Sequence, residues 1–381
     1  MNFTLTQEQQ ILRDTVRDFC ARELIPNGRK WDEEERFPHE VVPKMAELGL
    51  WGVRVPEQYG GAGLSMMDYI VIMEELARGD GSIALTYAAH NSLCTGHIQL
   101  AGNEKQKQKY LPQLASGKVM GAWGLTEPGS GSDAGGARTT AVRRGDKWIL
   151  NGTKTFITQG SVGGIFVVLA STSPEKKQKG LTAFIIEKGT PGFRTGKHIE
   201  KMGLRASDTT ELVMEDCELS DEQRLGEVDH GFIDTLQILD KGRIGIATMA
   251  VGLGRGALEE SIKYARERKQ FGQPIASFQA IQIMIADMAS QLDAARLLCW
   301  RAAWMEDHGI PHTMESSMCK LFAGQVASRA CNTAIQIHGG YGYTREFPVE
   351  RYFRDTRLCE IGEGTNEVQR LVISRHLIQG S

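Results

Sequence analysis

Three long runs close the chain, at residues 232–268, 278–308 and 313–337, each with apolar residues returning at helical spacing. A helix of some thirty residues is about 45 Å long. Helices of that length with short connections bury their apolar stripes against one another, as an antiparallel bundle. A shorter helix over residues 366–377, with Val368, Leu371, Val372 and Leu377 near helical spacing, completes a four-helix bundle domain over 229–381.

Residues 1–120 also read as helical. Thr6 with Gln9 makes a capping box ahead of an apolar stripe of Ile11, Leu12, Val16, Phe19, Cys20 and Leu24, and Pro26 lies just past its end. Ser65 with Asp68 opens another helix carrying Tyr69, Ile70, Ile72, Met73 and Leu76. Residues 83–101 are apolar all round, which predicts a buried helix. Between the two helical parts, from 121 to 228, the texture changes. Runs at 138–144 and 147–151 meet at Gly145-Asp146, a hairpin signal. Further short strands are predicted at 165–170, 181–186 and 211–215, without intervening helices. That pattern fits a small barrel or sandwich rather than a parallel sheet. The expected fold class is α+β: an N-terminal helical domain (1–120), a middle β-barrel domain (121–228) and the C-terminal bundle.

Composition excludes several classes of function. A net charge of −3 argues against a nucleic-acid or anionic-membrane binder. Seven cysteines, scattered and without a C-x-x-C pair, read as buried reduced thiols and against a disulfide framework or structural zinc. Nine histidines include no H-E-x-x-H, so no metal centre is expected. No apolar run approaches a membrane span and no signal or transit pattern opens the chain, which predicts a soluble cytoplasmic protein without membrane insertion.

Common nucleotide and hydrolase motifs fail. Gly252, Gly254 and Gly256 lack G-x-G-x-x-G spacing and fall inside a helix, where close helix packing is the plainer reading. Residues 192–197 are one short of a phosphate-binding loop, with His198 where Ser or Thr belongs, and there is no G-x-S-x-G. Residues 125–133 form a loop of glycines and hydroxyls that can set N–H groups against a polar ring or a phosphate, or be an ordinary polar turn. The basic cluster at 266–274 closes a long helix and alone reads as a cap matched to its dipole. Glu363 stands between Gly362 and Gly364 just before a helix start. A bare loop at that place suits a general base beside an anionic or electron-rich ligand, although a solvated loop carboxylate has the same pattern.

Together these stretches resemble the acyl-CoA dehydrogenase family. The resemblance rests on Thr126-Glu127-Pro128-Gly129-Ser130-Gly131-Ser132-Asp133, Asn151-Gly152-Thr153-Lys154 with Phe156-Ile157-Thr158, Glu267-Arg268-Lys269-Gln270-Phe271-Gly272, Gln336 with Gly339-Gly340-Tyr341-Gly342-Tyr343, and Glu363-Gly364-Thr365. Their order and spacing cover essentially the whole chain. The resemblance implies an FAD enzyme of fatty acid or branched-chain amino acid catabolism that oxidises an acyl-CoA to the trans-2-enoyl-CoA. It implies electron transfer flavoprotein as the electron acceptor and a homotetramer built as a dimer of dimers. By position, Trp123, Leu125, Thr126, Gly131, Ser132, Phe156, Ile157 and Thr158 would line the flavin, and Ser132 would also touch CoA. Arg268, Phe271, Gln279, Gln336, Gly339 and Gly340 would reach a neighbouring subunit's FAD. Thr365, Asn366 and Glu367 would hold the cofactor beside the catalytic loop, and Asp240, Arg243 and Gly364 would contact the acyl-CoA.

Glu363 matches the family's base, taking the α-proton while hydride leaves the β-carbon for flavin N5. The α-proton of a thioester is weakly acidic, so hydrogen-bond donors must favour the enolate-like transition state. In this family the donors are a flavin ribityl hydroxyl and the base's own N–H. Burial under the acyl chain is expected to raise the pKa of Glu363 toward neutrality.

The sequence departs from the family pattern at two places. Most members with a base in this loop carry Tyr before it; here Gly362 stands there. The isovaleryl-type branch has Gly there, Ala next, and a base on the long helix, where this chain has Gly242. The expectation is extra space around the thioester and a short, possibly branched, acyl group. Alternatives on the same fold are a medium straight-chain dehydrogenase, an oxidase (disfavoured by the missing extra C-terminal domain), a decarboxylating relative (disfavoured by the lack of Arg between Ser82 and Leu100) and a non-catalytic flavoprotein.

Overall fold

A computed structural model of the chain describes residues 3–379. The N-terminal helices are α1 (Gln7–Phe19), α2 (Ile25–Glu34), α3 (Val41–Glu47), α4 (Met66–Gly79), α5 (Gly81–Ala88), α6 (Gly96–Ala101) and α7 (Glu104–Ala115). Both expected capping boxes form, Thr6 with Gln9 and Ser65 with Asp68. Pro26, however, does not end the first helix. A π-helical turn, Cys20–Leu24, carries α1 into α2, and Pro26 falls in the first turn of α2, where a missing N–H is tolerated. Ile11 is 60% exposed, one step off the row of Leu12, Val16 and Phe19 that faces inward.

The buried helix expected over 83–101 also holds a π-helical segment, Ala89–Thr95, between α5 and α6. Within it His90 is fully buried and joins three parts of the chain. Its Nδ1 accepts the N–H of Gly121, so Nε2 carries the proton and faces the carbonyls of Trp51 and Leu114. Burial pushes this imidazole down to about 4, which keeps it neutral.

The middle of the chain supplies β1 (Gly121–Gly124), β2 (Thr140–Arg144), β3 (Lys147–Thr158), β4 (Ile165–Ser171), β5 (Leu181–Glu187), β6 (Phe193–His198), β7 (Thr209–Ser220) and β8 (Arg224–Leu225). They join in one sheet of order β6-β7-β3-β2-β4-β5-β8, with β1 parallel to β4. The predicted hairpin is the β2–β3 turn at Gly145 and Asp146. The stretch resembling a phosphate-binding loop is instead the edge strand β6. Alternate residues of β4 and β5 explain their continuous apolar runs. Phe166, Val168, Phe184 and Ile186 enter a core enclosed by the curled sheet with Leu150, Leu212 and Met214. Ile165, Val167, Leu169, Ala183 and Ile185 pack outward on Cys94, Ile98, Leu111 and Leu114 of the N-terminal helices. Both faces are therefore buried.

The C-terminal helices are α8 (Gly231–Glu267), α9 (Gln279–Asp307), α10 (Thr313–His338), α11 (Val349–Thr356), α12 (Leu358–Ile361) and α13 (Asn366–Gln379), with a tight hairpin of β9 (Lys269–Gln270) and β10 (Gln273–Pro274) after α8. The glycines of α8 do allow close packing. A β-carbon on Gly252 would stand 2.5 Å from the carbonyl oxygen of Glu74, on Gly254 2.5 Å from Leu292, and on Gly256 2.7 Å from Tyr352. Consequently α4, α9 and α11 all approach α8, and one apolar core runs from Val16 and Tyr69 through Ile244 and Leu253 to Ala327 and Cys359. All seven cysteines are buried free thiols. Among the described residues no helix is long and apolar enough to cross a membrane.

Candidate active site

Glu363 occupies the turn between α12 and α13 with φ +53°, and Gly364 follows at φ +91°. Two successive left-handed residues reverse the chain and aim the carboxylate back onto α8. There it rests on Gly242, where a β-carbon would meet Oε2 at 2.1 Å. Oε2 is sealed from solvent and has no hydrogen-bond partner among the described residues. Burial raises the carboxyl to about 7, against the opposing pull of the Arg243 and Lys320 cations. The direction is the one expected, although the cause here is packing of the protein's own residues rather than an acyl chain.

Tyr69 and Arg243, both buried, act on the same carboxylate. Tyr69 on α4 stacks on Tyr87 of α5 with ring centroids 5.0 Å apart, and its hydroxyl would lie 3.0 Å from a β-carbon on Gly245, one turn along α8 from Gly242. Asn91, in the π-helical segment, donates to the carbonyls of Leu50 and Tyr87. Arg243 is buried and donates to Asp240 at 2.7 Å, while Asp240 accepts from Thr313 at 2.5 Å. The Arg243 Nε is buried and without a partner among the described residues, leaving one donor available to a ligand.

The Gly-rich loop lies on the β layer. Its Glu127 is buried against Lys154 of β3 at 2.7 Å and also accepts the N–H groups of Arg138 and Thr139. Lys154 further donates to the carbonyl of Leu125. A buried pair of this kind has excellent geometry on both sides, which is what offsets its desolvation. The pair fixes Leu125 and Thr126, both half-buried, beside Phe156, because Thr155 N–H bonds the carbonyl of Thr126. An irregularity in the β3–β7 register between Lys154 and Ile157 turns Phe156 outward, with φ +58° and 65% exposed. Gly131 and Ser132 are exposed and Thr158 is half-buried. Ile157 and Trp123 are buried in the two β-layer cores, with the Trp123 indole N–H donating to His97.

A third group stands apart from these. Arg268, Phe271, Gln279, Gln336, Gly339 and Gly340 are all exposed on the protomer. Phe271 projects from the β9–β10 turn at φ +51° and is 93% exposed. The Arg268 guanidinium lies over the ring of Tyr341, 5.5 Å from its centroid, which brings the hairpin beside the end of α10. On the last helix Thr365 caps α13 by accepting the N–H of Val368, Asn366 is buried, and Glu367 is exposed.

Three contributors escaped sequence reasoning. Glu127 and Lys154 were visible only as parts of a motif, with nothing to show that they pair. Lys320 is fully buried on α10 and donates to the carbonyl of Gly364 at 2.7 Å. Its signal was available: Lys320 falls within the inward row of Ser316, Cys319, Ala323 and Ala327, where a cation needs a reason to be.

Comparison with known proteins agrees along the whole chain. Residues 6–118, 122–217 and 229–378 match the acyl-CoA dehydrogenase N-terminal, middle and C-terminal domain models respectively. The chain is 48% identical over 380 residues to the probable acyl-CoA dehydrogenase YngJ of Bacillus subtilis, covering 100% of both. It superposes on butyryl-CoA dehydrogenase of Megasphaera elsdenii with a TM-score of 0.97 and 42% identity, covering 99% of this chain and 100% of that one. A chain in the structure of the electron transferring flavoprotein of Acidaminococcus fermentans gives a TM-score of 0.98 and 45% identity, with 100% of each covered.

Proposed function

The chain belongs to the acyl-CoA dehydrogenase family, and from that premise we propose that it dehydrogenates a short acyl-CoA at the α,β bond, with Glu363 as the base. The observation that carries this reading is the placement of Glu363: a half-buried residue whose sealed Oε2 rests on Gly242 without a partner among the described residues, its carboxyl raised to about 7. A base with a pKa near the working pH is matched to taking a weakly acidic proton.

The residues present fit FAD. Phe156 offers an exposed ring next to the pinned loop of Thr126, and β-carbons built on Gly129 and Gly131 would meet nothing within 4 Å, so that loop's backbone is open to approach. Leu125, Thr126, Gly131, Ser132, Phe156 and Thr158 would hold the isoalloxazine and its linker, with Ile157 and Trp123 contributing backbone. Thr365, Asn366 and Glu367 would hold it from the base's side. FAD, when bound, supplies the two-electron acceptor for the β-hydrogen and the link to an electron transfer flavoprotein. Arg268, Phe271, Gln279, Gln336, Gly339 and Gly340 would complete a neighbouring subunit's site in a homotetramer, which accounts for a phenylalanine left 93% exposed.

Glu363 removes the α-proton, and its backbone N–H polarises the thioester carbonyl as charge develops there. Arg243, with its free Nε, and Asp240 orient the CoA thioester arm. The space over Gly242 is taken by the Glu363 carboxylate, so room for a branched acyl group comes from Gly362. A β-carbon there would make only ordinary contact with Leu358, at 3.5 Å.

An anaerobic titration of the holoenzyme with butyryl-, isobutyryl-, isovaleryl-, 2-methylbutyryl- and octanoyl-CoA tests the proposal through flavin bleaching. A short substrate should bleach the flavin, and Glu363→Gln should not respond. Strongest bleaching by octanoyl-CoA would replace the short-chain reading with a medium-chain one. A flavoprotein that no acyl-CoA bleaches would overturn the catalytic reading.

A further inference from the structure

We propose that Lys320 is a positioning residue for the base: its ammonium group fixes the turn that carries Glu363, and its positive charge favours the ionised carboxylate. This rests on Glu363 acting as the base.

The geometry begins with the burial of a lysine on α10. Its side chain is fully buried, and both of its acceptors are neutral, the carbonyl of Gly364 at 2.7 Å and Oδ1 of Asn366 at 3.5 Å. A buried ammonium group with neutral acceptors keeps its field, which acts on the nearest ionisable groups. The carbonyl it holds belongs to the residue immediately after Glu363. Gln369, itself buried, donates to that carbonyl at 2.9 Å and to the carbonyl of Glu363 at 3.3 Å. Two donors therefore anchor a pair of left-handed residues, a conformation that is strained for a Glu if nothing holds it.

The charges around the carboxylate come from each element packed against it. Arg243 on α8 is positive but shares its charge with Asp240. Tyr69 on α4 is neutral, its phenol pushed above the usual range by burial and by Glu363 itself. Cys359 and Glu360 on α12 act on Lys320. Lys320 is lowered to about 8 by burial, with these acids opposing, and after Arg243 it is the second cation that holds Glu363 lower than burial alone would.

The test compares Lys320→Gln, which keeps a donor for Gly364 but drops the charge, with Lys320→Met, which drops both. In each holoenzyme the acid limb of the kcat/KM profile is measured with the best acyl-CoA. The Glu363 carboxylic-acid stretch is followed in parallel by infrared difference against the same variant carrying Glu363→Gln. The expected result is an acid limb and a carboxyl titration both moved up by about one pH unit or more in the two variants. At high pH the Gln variant should recover most of its turnover and the Met variant should not. Lower rates at all pH values with an unmoved limb would overturn the proposal. So would a Gln variant that fails to fold, since the charge would then serve folding. If Glu363→Gln in the otherwise native enzyme still passed electrons from acyl-CoA to flavin, the base assignment itself would fail, an outcome separate from these.

Discussion

The carboxylate of Glu363 lies on the bare Cα of Gly242: a β-carbon at position 242 would stand 2.1 Å from Oε2 and 2.9 Å from Cδ. These two positions, 121 residues apart in sequence, share one volume. A side chain on α8 and the Glu363 carboxylate cannot both use it.

Gly242→Ala is therefore expected to move the base without harming the fold. The atoms displaced are the end of a flexible side chain, and Ala favours a helix by about 1 kcal/mol over Gly. The thermal midpoint should hold or rise while kcat falls by about tenfold or more, as a misplaced general base implies. Melting curves and steady-state rates on one preparation check this.

Glu363 also makes a pH prediction. Its folded pKa is raised from 4.5 to about 7. The protonated form is the one folding favours, so its contribution to stability is full below about 4.5 and is lost as pH rises through about 7. Activity runs the other way and rises through the same range. Asp355 is raised to about 7 by burial as well and adds a stability slope of the same sign. Urea unfolding of the wild type and Glu363→Gln at several pH values should show a shallower slope in the variant.

Breaking the Lys154–Glu127 pair from one side should be costly. Lys154→Met leaves a buried carboxylate without its cation, which typically costs about 3–5 kcal/mol. The double variant Lys154→Met/Glu127→Gln should recover much of that. Both are expected to retain less flavin, because the pair pins the loop at Leu125. Urea unfolding with flavin content per chain measures the two effects separately.

Gly362→Tyr should be tolerated, since Gly362 has φ −67° and ψ 154°, open to any residue, with only Leu358 near its β-carbon. Stability should change by less than about 1 kcal/mol. The ratio of kcat/KM for branched over straight short substrates should fall. An unchanged ratio would remove Gly362 from the account of specificity.

Much of the architecture was legible because its signals are local. The capping boxes at Thr6 and Ser65, the Gly145 turn and the α8 glycines each state their role within a few residues. What escaped was of two kinds. The π-helical turns at Cys20–Leu24 and Ala89–Thr95 keep helical periodicity nearly intact, so Pro26 looked like a stop. Pairings across long separations, such as Glu127 with Lys154, Gly242 with Glu363 and Lys320 with Gly364, have no local pattern. Glu363 itself became a candidate through its glycine neighbours and its match to a family motif. Its perturbed titration comes from burial, opposed by Arg243 of α8 and Lys320 of α10.

The core shared by the two helical parts bears on how the chain is made. The apolar face of α4 packs against α8 as well as against α1, α5 and α9, and Gly231 is translated after the entire β layer. At about 5–20 residues per second, the nascent α4 waits roughly ten to thirty seconds for α8 to emerge. During that interval Tyr69, Ile72 and Met73 lack the helix that covers them. The β layer can close around its own enclosed core before α8 is made, whereas the N-terminal helices complete their core only with the helix that bears Gly242.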